Sequence, residues 1–491
     1  MKLFLYCILL CISVQAGFKF EDIKVPAGID PQVGGLCTLP NGEIAACFHR
    51  GELMIYNPAS KQWRMFARGL HEPLGILALS DTELLVMQRP ELTLIKDSDS
   101  DGKADTYKTV FDGFGMSGNY HEFSFGPVMD KDGNFYIALN VASGLASIRK
   151  EIRGDFTDIG ASREQFYAKD WSKQKGAVGR MFSKVPYRGW VLKITPDGKM
   201  TPLASGLRSP NGLGFDADGD LFVPDNQGDW LGTSKIHHIQ KGHFHGHPAS
   251  LVWEKNWDGR DPLKVPVEEL NKMRTPAAAL VPQGIMGNSP TQPLLIDHDN
   301  FGPYKGQMLI GEMNFQRVLR FMKDKVGNVV QGAVIPHIDG DPMRIGNNRL
   351  TWGKDSSLYI GRTKLSWPGD NGIQRVVWDG KVDFDIQDLK LTKSGFKITF
   401  TKKVKDLQAD DFKISSYHYL YQRAYGSPQI DEKAVKINHL DLSEDGFSAL
   451  LTLDSLEAGK VYDFTMNGVK SSSGENLKAK RMCYTLNRLA E

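Results

Sequence analysis

Two residues that precede predicted strands carry side chains suited to acid–base and electrostatic catalysis. His121 stands directly before the run Phe123-Ser124-Phe125, where a neutral imidazole could remove a proton from a substrate hydroxyl. Arg208 precedes the run that begins at Gly212, and its guanidinium could neutralise charge that develops on an oxygen. The sequence therefore predicts a general base at His121 and an electrostatic partner at Arg208. A hydrogen-bonded structural role is the alternative for each residue taken alone.

Further polar residues lie in loops that lead into other predicted strands. Imidazole, guanidinium and amide groups around one ring would suit a sugar or an anionic cofactor. The predicted substrate- or cofactor-binding residues are His71, Glu72, Tyr120, Glu122, Asn211, Asp225, Asn226, Asn314, Gln316, Arg344, Asn348 and Arg349. The same loops carry Asp30, Gln32, Asn288, Ser289 and Asn347.

The run from Asp97 to Asp105 has the spacing of a calcium-binding loop. Carboxylates stand at its first, third, fifth and ninth positions, which are Asp97, Asp99, Asp101 and Asp105, and Gly102 stands at the sixth. Lys108 occupies the twelfth position in place of a bidentate Glu. We therefore predict a structural calcium site of modest affinity, and a solvated acidic turn is the alternative.

Other cofactor motifs are weak or missing in the sequence. On an extended segment His243, His245 and His247 would share one face and could bind zinc, but loop packing is the favoured interpretation. No Cys-x-x-Cys-His motif occurs, so covalent haem is not expected. No glycine-rich phosphate loop follows a predicted strand, so nicotinamide and ATP sites are not expected either.

A repeated unit of apolar strand, Asp/Asn/Gly turn and second strand must position these side chains. The copies lie at residues 35–46, 75–86, 123–139, 212–223, 306–311 and 350–360. Units of this kind are typical of propeller blades, so the sequence predicts an all-β fold with a six-bladed β-propeller over residues 17–380. Segments near 143–187 and 246–286 lack the repeat and are expected to be insertions.

The hydrophobic pattern of the sequence changes after residue 380. Strands such as Phe396–Phe400 and Ala449–Leu453 alternate as in a sandwich, so residues 381–491 are predicted to form a small Ig-like β-sandwich. The tyrosines at 417, 419, 421 and 425 could form an interface or a platform for carbohydrate stacking. Half-buried strand aromatics are the commoner explanation.

Composition and the amino terminus limit the class of protein. The 491 residues contain 60 Lys and Arg against 58 Asp and Glu, a balance that argues against a nucleic-acid partner. Residues 1–16 have the basic start, apolar run and small residues of a signal peptide, so export to the periplasm or the extracellular space is expected, with no membrane span. Cys37 and Cys47 flank a hairpin turn, and buried free thiols are favoured over a bridge.

These residues resemble the glucose/sorbosone dehydrogenase-like family of soluble quinoprotein sugar dehydrogenases. The likeness is greatest in residues 121–139 and 206–225. The chain is similar along nearly its whole length to the secreted or membrane-associated dehydrogenase propellers of planctomycetes, verrucomicrobia and Bacteroidetes, in residues 97–105, 301–307, 348–353 and 484–488. The resemblance implies that His121 is the general base and that Arg208 contacts pyrroloquinoline quinone (PQQ). Ser209 and Pro210 separate Arg208 from Asn211, where the family has an Arg-Asn pair.

The sequence as a whole predicts a secreted, carbohydrate-active propeller protein. A sugar (aldose) dehydrogenase-like oxidoreductase is the leading hypothesis, and a separate electron acceptor is expected because the haem motif is missing. One alternative is a glycan-binding module without redox activity. Another is a non-redox sugar hydrolase or lyase, although no pair of acids at a hydrolytic spacing is evident.

Overall fold

The structure is a computed structural model that describes residues 17–167, 179–365 and 367–491, together with the backbone of residues 12–15. Strands make up 44% and helices 5%, so the predicted all-β class is confirmed. Within these ranges, no helix is both long and apolar enough to cross a membrane. Most of the predicted signal peptide lies outside the described residues, and its segment Ile12–Gln15 forms strand β1, which pairs with β2 (Phe18–Ile23).

Five of the six predicted repeats lie at the first two strands of successive antiparallel sheets, and the repeat at 306–311 lies on the second strand of its sheet. Sheet 1 consists of β3 (Val33–Thr38), β4 (Ile44–Phe48), β5 (Leu53–Asn57) and β6 (Gln62–Ala67). Sheet 2 consists of β7 (Gly75–Ala78), β8 (Glu83–Met87), β9 (Leu92–Lys96) and β10 (Thr106–Phe111).

Sheets 3 and 4 carry the long excursions. Sheet 3 begins with β11 (Ser124–Met129) and β12 (Phe135–Leu139). An excursion with β13 (Ala142–Ser143), helix α1 (Arg163–Phe166) and β14 (Met181–Phe182) follows, and β15 (Val191–Ile194) and β16 (Met200–Ala204) complete the sheet. Sheet 4 contains β17 (Gly214–Phe215), β18 (Leu221–Asp225), β19 (Ser234–Ile239) and β20 (Ala279–Val281). Between β19 and β20 lie two 3-10 helices, Pro248–Trp253 and Pro262–Lys264, and helix α2 (Val267–Met273).

The last sheet of the series includes a strand from the amino terminus. Sheet 5 contains β21 (Pro290–Leu295), β22 (Met308–Glu312), β23 (Arg317–Val326) and β24 (Val329–Asp339). Sheet 6 contains β25 (Asn347–Trp352), β26 (Leu358–Arg362) and β27 (Gly372–Trp378), with β2 as its fourth strand. Because β2 comes from the start of the chain, its pairing with β27 joins the two ends of the series.

The first hairpin turn of sheet 4 is stabilised by an acidic side chain that caps the backbone of its own turn. Asp216 Oδ1 accepts the N–H groups of Asp218 at 3.0 Å and Asp220 at 2.9 Å, between β17 and β18. Gly219 has a φ of +82°, a left-handed conformation that a side chain disfavours. The Asp-Gly spacing in the sequence therefore encodes the turn itself.

The first strands of neighbouring sheets contact one another. β3 contacts β7, β7 contacts β11, β21 contacts both β17 and β25, and β25 contacts β3. A Cβ atom on Gly34 would lie 1.8 Å from the Pro73 carbonyl oxygen, and one on Gly75 would lie 1.7 Å from that of Gly126. Glycine is therefore required where the inner strands meet backbone to backbone.

The carboxyl-terminal strands form two layers. One sheet contains β28 (Ile386–Thr392), β29 (Gly395–Phe400), β32 (Ile437–Leu442) and β33 (Ser448–Leu453). The other layer contains β30 (Phe412–His418), β31 (Ile430–Val435), β34 (Lys460–Met466) and β35 (Arg481–Leu486). A third 3-10 helix, Ala409–Asp411, precedes β30.

The second of these layers continues sheet 5. β35 pairs with β24, with Val334 opposite Cys483. Met322 and Ile335 of sheet 5 belong to the same buried apolar cluster as Phe396 and Phe464 of the carboxyl-terminal strands. The predicted boundary at residue 380 therefore separates segments that share a sheet and a core.

The cysteines of the described chain are buried free thiols. Cys37 lies opposite Ala45 and Cys47 lies opposite Gly35, so the two cysteines do not face each other across the hairpin. Burial raises the pKa of Cys37 to about 12, which keeps this thiol protonated.

Candidate functional site

His121 lies in the loop that leads into β11, and one hydrogen bond sets its tautomer. Its Nδ1 is 2.7 Å from the carbonyl oxygen of Val141. Because a carbonyl oxygen only accepts hydrogen bonds, Nδ1 carries the ring proton and Nε2 keeps its lone pair. Nε2 lies 3.4 Å from Oγ of Ser209. The ring therefore presents an unprotonated nitrogen to a hydroxyl group.

The surroundings of His121 favour the neutral imidazole. Burial and, secondly, the positive charge of Arg208 lower the pKa of His121 to about 4, although the hydrogen bond to Val141 opposes the shift. The rings of Tyr120 and Phe123 lie beside the imidazole, at centroid distances of 6.0 and 5.9 Å. His121 is thus uncharged at neutral pH and can act as a proton acceptor.

A buried carboxylate at the end of β18 positions the neighbouring loop. Asp225 accepts the backbone N–H of Arg208 at 2.9 Å and that of Ser209 at 2.7 Å, one on each oxygen. Burial alone would raise the pKa of Asp225, but hydrogen bonding and charge from His237, together with the charge of Lys235, lower it overall. The ionised carboxylate therefore holds two consecutive residues of the site. Asp225, predicted as a ligand-binding residue, acts here on the backbone.

The Arg208 side chain is held by an ion pair that the sequence analysis did not identify. Its Nε lies 3.1 Å from Asp229 Oδ1, and the other oxygen of Asp229 lies 3.2 Å from His247 Nε2. Burial raises the pKa of Asp229, but the charges of His247 and Arg208 outweigh burial and lower it to about 2. A Cβ atom on Gly228 would lie 1.9 Å from Arg208 Nε, so glycine leaves the space that the guanidinium fills.

Three of the predicted residues form a hydrogen-bonded group where the inner strands meet. Arg349 Nη1 donates to Asn211 Oδ1 at 2.9 Å and to Asn348 Oδ1 at 3.1 Å. Its Nε donates to the carbonyl oxygen of Gly34 at 2.8 Å, and Nη2 donates to that of Leu74 at 2.9 Å. The guanidinium thereby joins sheets 1, 2, 4 and 6.

Arg349 also borders a cavity and has no carboxylate partner in the described part of the chain. The cavity is small, with about 20 Å³ of free space, and is lined by Leu36, Ile76, Val128, Leu213, Gln292 and Arg349 among others. Burial lowers the pKa of Arg349 to about 9, so the guanidinium is still charged at neutral pH. A buried cation without a counter-ion is a site that an anion would stabilise.

The predicted pair His71 and Glu72 lies at the rim of sheet 2. The backbone N–H of His71 donates to Gln88 Oε1, and the Glu72 carboxylate pairs with Arg89 Nε. Arg89 also donates from Nη1 to the carbonyl oxygen of Tyr120 at 3.0 Å. Glu72 is therefore linked through Arg89 to the loop that carries His121.

Tyr120 and Glu122, on either side of His121, face different surroundings. Tyr120 is 43% exposed, and its hydroxyl donates to Ser143 Oγ at 3.2 Å. Glu122 is 1% exposed, and its two oxygens accept the N–H and the hydroxyl of Ser117, each at 2.7 Å. The exposed Tyr120 can therefore contact a ligand, whereas the buried Glu122 stabilises the loop that contains Ser117 and His121.

The remaining predicted binding residues each contact a neighbour in the loops of sheets 4 to 6. Asn226 accepts a hydrogen bond from Ser289, and Gln316 donates one to Asp341. Asn314 donates a hydrogen bond to the Pro368 carbonyl and accepts one from Trp367. Arg344 forms ion pairs with Asp370 and Asp22. Within the described residues, none of these four side chains hydrogen-bonds to His121 or Arg208. The structure does not bring them into the group around His121.

Glu312 is a buried carboxylate, not predicted from the sequence, that positions the loops of Asn288 and Asn314. It is 0% exposed, and its Oε1 accepts the backbone N–H groups of Asn288 at 2.8 Å and Ser289 at 2.7 Å. Its Oε2 accepts those of Asn314 at 2.8 Å and Phe315 at 2.5 Å. An acidic residue that ends an apolar strand is the signal that could have identified it, because unpaired carboxylates are rarely fully buried.

The predicted calcium residues are brought together in part. Asp97, Asp99 and Asp101 each place a carboxylate oxygen within 4.8 Å of the others. Asp97 is 4% exposed, and its Oδ1 has no hydrogen-bond partner, whereas Oδ2 accepts the N–H of Gly102 at 2.9 Å. Asp105 stands outside this group and accepts the Ser98 N–H at 3.0 Å.

A second acidic triplet offers a comparison. Asp216, Asp218 and Asp220 also lie within 4.8 Å of one another, but the ammonium group of Lys323 pairs with all three. The pKa of Lys323 is raised because hydrogen bonds to these carboxylates outweigh the effect of burial. A lysine therefore supplies the positive charge at this triplet.

The histidines considered for zinc do not converge. His247 contacts Asp229, whereas His245 packs against His237 with ring centroids 4.4 Å apart. Among the described residues, the two Asp triplets are the groups close enough to hold a metal, and the trio His243, His245 and His247 is not one of them. This agrees with the preference for loop packing.

Residues 60–255 match a family model described as a domain of unknown function (DUF7133), which covers less than half of the chain. Among curated proteins, none matches.

Solved structures with a similar fold include propeller sugar dehydrogenases. The PQQ domain of pyranose dehydrogenase from Coprinopsis cinerea is 11% identical, with a TM-score of 0.50 over 74% of this chain and 97% of that chain. The PQQ-bound aldose sugar dehydrogenase from Streptomyces coelicolor is 14% identical, with a TM-score of 0.47 over 74% and 99%. The soluble aldose sugar dehydrogenase from Escherichia coli is 15% identical, with a TM-score of 0.46 over 73% and 99%. At this identity the likeness to the pyranose dehydrogenase domain, with its TM-score of 0.50, shows the fold alone, and it supports the propeller class without fixing the number of blades.

Proposed function

We propose that this chain is an oxidoreductase that oxidises an aldose at its anomeric carbon. The observation that carries the proposal is the His121 imidazole, whose lowered pKa keeps it neutral and whose free Nε2 faces the loop of Arg208 and Ser209. Oxidation of a hydroxyl-bearing carbon uses a proton acceptor and a group that stabilises charge on the oxygen, together with a two-electron acceptor, and the first two are present on adjacent loops. The shared fold with a domain of a pyranose dehydrogenase supports the same class.

The chain's own residues account for the movement of the proton. The substrate's C1 hydroxyl approaches Nε2 of His121 beside Ser209 Oγ, which lies 3.4 Å from that nitrogen, and the hydroxyl proton passes to Nε2. The imidazolium that forms keeps its Nδ1–H on the Val141 carbonyl, which stabilises the added charge. Arg208, fixed by Asp229, stabilises negative charge on the substrate oxygen.

The residues around Arg208 and Arg349 fit an anionic quinone such as PQQ. Arg349 is a buried cation without a carboxylate partner in the described chain, and the terminal nitrogens of Arg208 make no hydrogen bond to any described residue. Arg208, whose terminal nitrogens are free, would hold a carboxylate of the cofactor, and the positive charge of Arg349 would favour an anionic group nearby. When bound, PQQ would supply the two-electron acceptor that oxidation of an alcohol requires.

The proposal extends to the domain organisation, the export and the family affiliation of the chain. Sheets 1 to 6 would be the six blades of a propeller over residues 17–380, and residues 381–491 would be an Ig-like sandwich. Residues 1–16 would direct export to the periplasm or the extracellular space, where electrons pass to a separate acceptor. The affiliation with the secreted dehydrogenase propellers of planctomycetes, verrucomicrobia and Bacteroidetes belongs to this proposal as well.

We also propose a structural calcium ion at Asp97, Asp99 and Asp101. The unpartnered Oδ1 of the buried Asp97 supports it, because a buried carboxylate oxygen without a donor is costly unless a cation compensates it. Adding a chelator should lower the melting temperature of the wild type, and Asp97→Asn should abolish that response.

A second candidate function rests on the contact between Ser209 and His121. A hydroxyl 3.4 Å from an unprotonated imidazole nitrogen is also a nucleophile–base pair, which would serve a sugar hydrolase. Ser209→Ala distinguishes the two: it removes the nucleophile of a hydrolase, but it leaves the proton acceptor of an oxidoreductase in place. A glycan-binding module would show sugar binding without either reaction.

The proposed oxidation is tested by reconstituting purified protein with PQQ and calcium and following dye reduction with a panel of aldoses. Reduction with at least one aldose is expected. His121→Ala should lower turnover by about 10²- to 10⁴-fold, as expected for loss of a general base. His439→Ala, which changes an exposed histidine of the carboxyl-terminal strands, is the matched control and should leave turnover unchanged. Absence of both reduction and retained quinone would reject the proposal.

A further inference from the structure

The loop between β30 and β31 projects from the carboxyl-terminal strands. It lies against the loop between β18 and β19, whose Asp229 forms the ion pair with Arg208. The backbone N–H of Trp230 donates to the Gln422 carbonyl at 2.9 Å. Tyr425 forms an isolated antiparallel bridge with Asp229, the residue that pairs with Arg208. A segment distant in sequence therefore forms part of the surroundings of the site.

Side chains of this loop anchor it on the excursion between β19 and β20. Arg423 Nη2 donates to the carbonyl oxygens of Lys264 at 3.3 Å and Val265 at 2.8 Å. The Tyr421 hydroxyl donates to the Gly246 carbonyl at 2.6 Å. These contacts fix the loop without using the side chain of Tyr425.

The ring of Tyr425 is exposed although two cations lie next to it. The guanidinium carbon of Arg208 is 5.5 Å from the ring centroid, and that of Arg180 is 4.3 Å away. Tyr425 is 45% exposed, whereas Tyr417 of the same region is 0% exposed. The two guanidiniums cover only part of the ring, because 45% of Tyr425 stays exposed, and this exposed part can contact a ligand.

We infer that Tyr425 is a specificity-determining residue that stacks on the apolar face of the sugar ring. The inference rests on the proposed function, because it takes the sugar to lie between His121 and Arg208. Tyr120, which is 43% exposed, lies beside His121, whereas Tyr425 lies beside Arg208. Two exposed aromatic rings thus flank the groups that act on the hydroxyl, and the C–H face of a pyranose is the surface that such rings bind.

The test compares steady-state kinetics of Tyr425→Ala, Tyr425→Phe and Tyr107→Ala with an aldose that the wild type oxidises. Tyr107, 47% exposed on β10, is the matched control for loss of an exposed ring. Tyr425→Ala should raise KM about tenfold with kcat within about twofold, and its melting temperature should match that of the control. Tyr425→Phe should keep a KM near that of the wild type, because it retains the ring.

The outcomes separate this inference from the proposed function. A KM for Tyr425→Ala equal to that of Tyr107→Ala overturns the inference while the oxidation stands. A parallel fall in kcat and melting temperature assigns Tyr425 to packing and also overturns it. A wild type that neither oxidises nor binds any aldose, measured by calorimetry, rejects the proposed function and this inference together.

Discussion

At the scale of single residues, the proton acceptance proposed for His121 depends on two neighbours that act differently. The Val141 carbonyl sets the tautomer, and burial together with Arg208 keeps the ring neutral. His121 and Arg208 could be singled out from the sequence because each lies in a loop that leads into a predicted strand. Their supports, Asp229 and Val141, were not, because these contacts depend on how the loops meet in three dimensions.

The lowered pKa of His121 predicts the pH dependence of turnover. Since the base is the neutral imidazole, kcat/KM for the aldose should be constant from pH 7 to about pH 5 and fall below that as His121 is protonated near pH 4. In Arg208→Gln the acid limb should move to higher pH, because a positive charge that disfavours protonation is removed. A half-loss of wild-type kcat/KM near pH 6.5 would contradict the structure, since that is the value for an ordinary imidazole.

At the scale of elements, the hairpins were predictable because their signals are local. Apolar strands around an Asp-Gly turn specify a hairpin within about a dozen residues, as at Asp216 and Gly219. The interactions that join sheets were not predictable: Arg349 bonds to Gly34 and Leu74, which are 315 and 275 residues away. No local pattern records such pairs.

The two Asp triplets should respond differently to calcium, because a lysine already neutralises one of them. In Lys323→Met the cation is lost from Asp216, Asp218 and Asp220, so the melting temperature should fall and added calcium should restore part of it. The measurement is thermal melting with and without calcium, made in an Asp97→Asn background that removes the other triplet. A midpoint in that double variant that is indifferent to calcium would contradict the comparison.

At the scale of the whole molecule, the carboxyl-terminal strands are integrated with the sheets before them. The sequence indicated a change of texture near residue 380, but not that β35 extends sheet 5 or that the loop bearing Tyr425 reaches Arg208. Both contacts join segments far apart in the chain. The same integration buries ionisable groups between the two regions.

His337 is one such group, and it predicts acid lability. It is 1% exposed, packs against Phe301 and Tyr304, and faces the charged Arg320 and Lys478. Burial, and then those charges, lower its pKa well below the usual value. Below about pH 6.5 the unfolded chain therefore binds a proton that the folded chain does not bind. The free energy of unfolding decreases as the pH is lowered, by up to about 1.4 kcal/mol per pH unit.

Replacing His337 should reduce this loss. His337→Phe, or His337→Leu if Phe overfills the site, should lose less melting temperature between pH 7 and pH 5 than the wild type does. His439→Ala, at an exposed position, should follow the wild type. An equal loss in all of these proteins would contradict the assignment of acid lability to His337.

The central claim, that His121 takes the proton from the C1 hydroxyl of an aldose during its oxidation, is tested most directly on the product. An aldose labelled with carbon-13 at C1 is incubated with protein, PQQ, calcium and dye, and carbon-13 NMR follows C1. Conversion of C1 to the carboxyl level by the wild type, and its loss in His121→Ala, is the expected result. An unchanged C1 signal with quinone bound, or equal conversion by the variant, would contradict the claim.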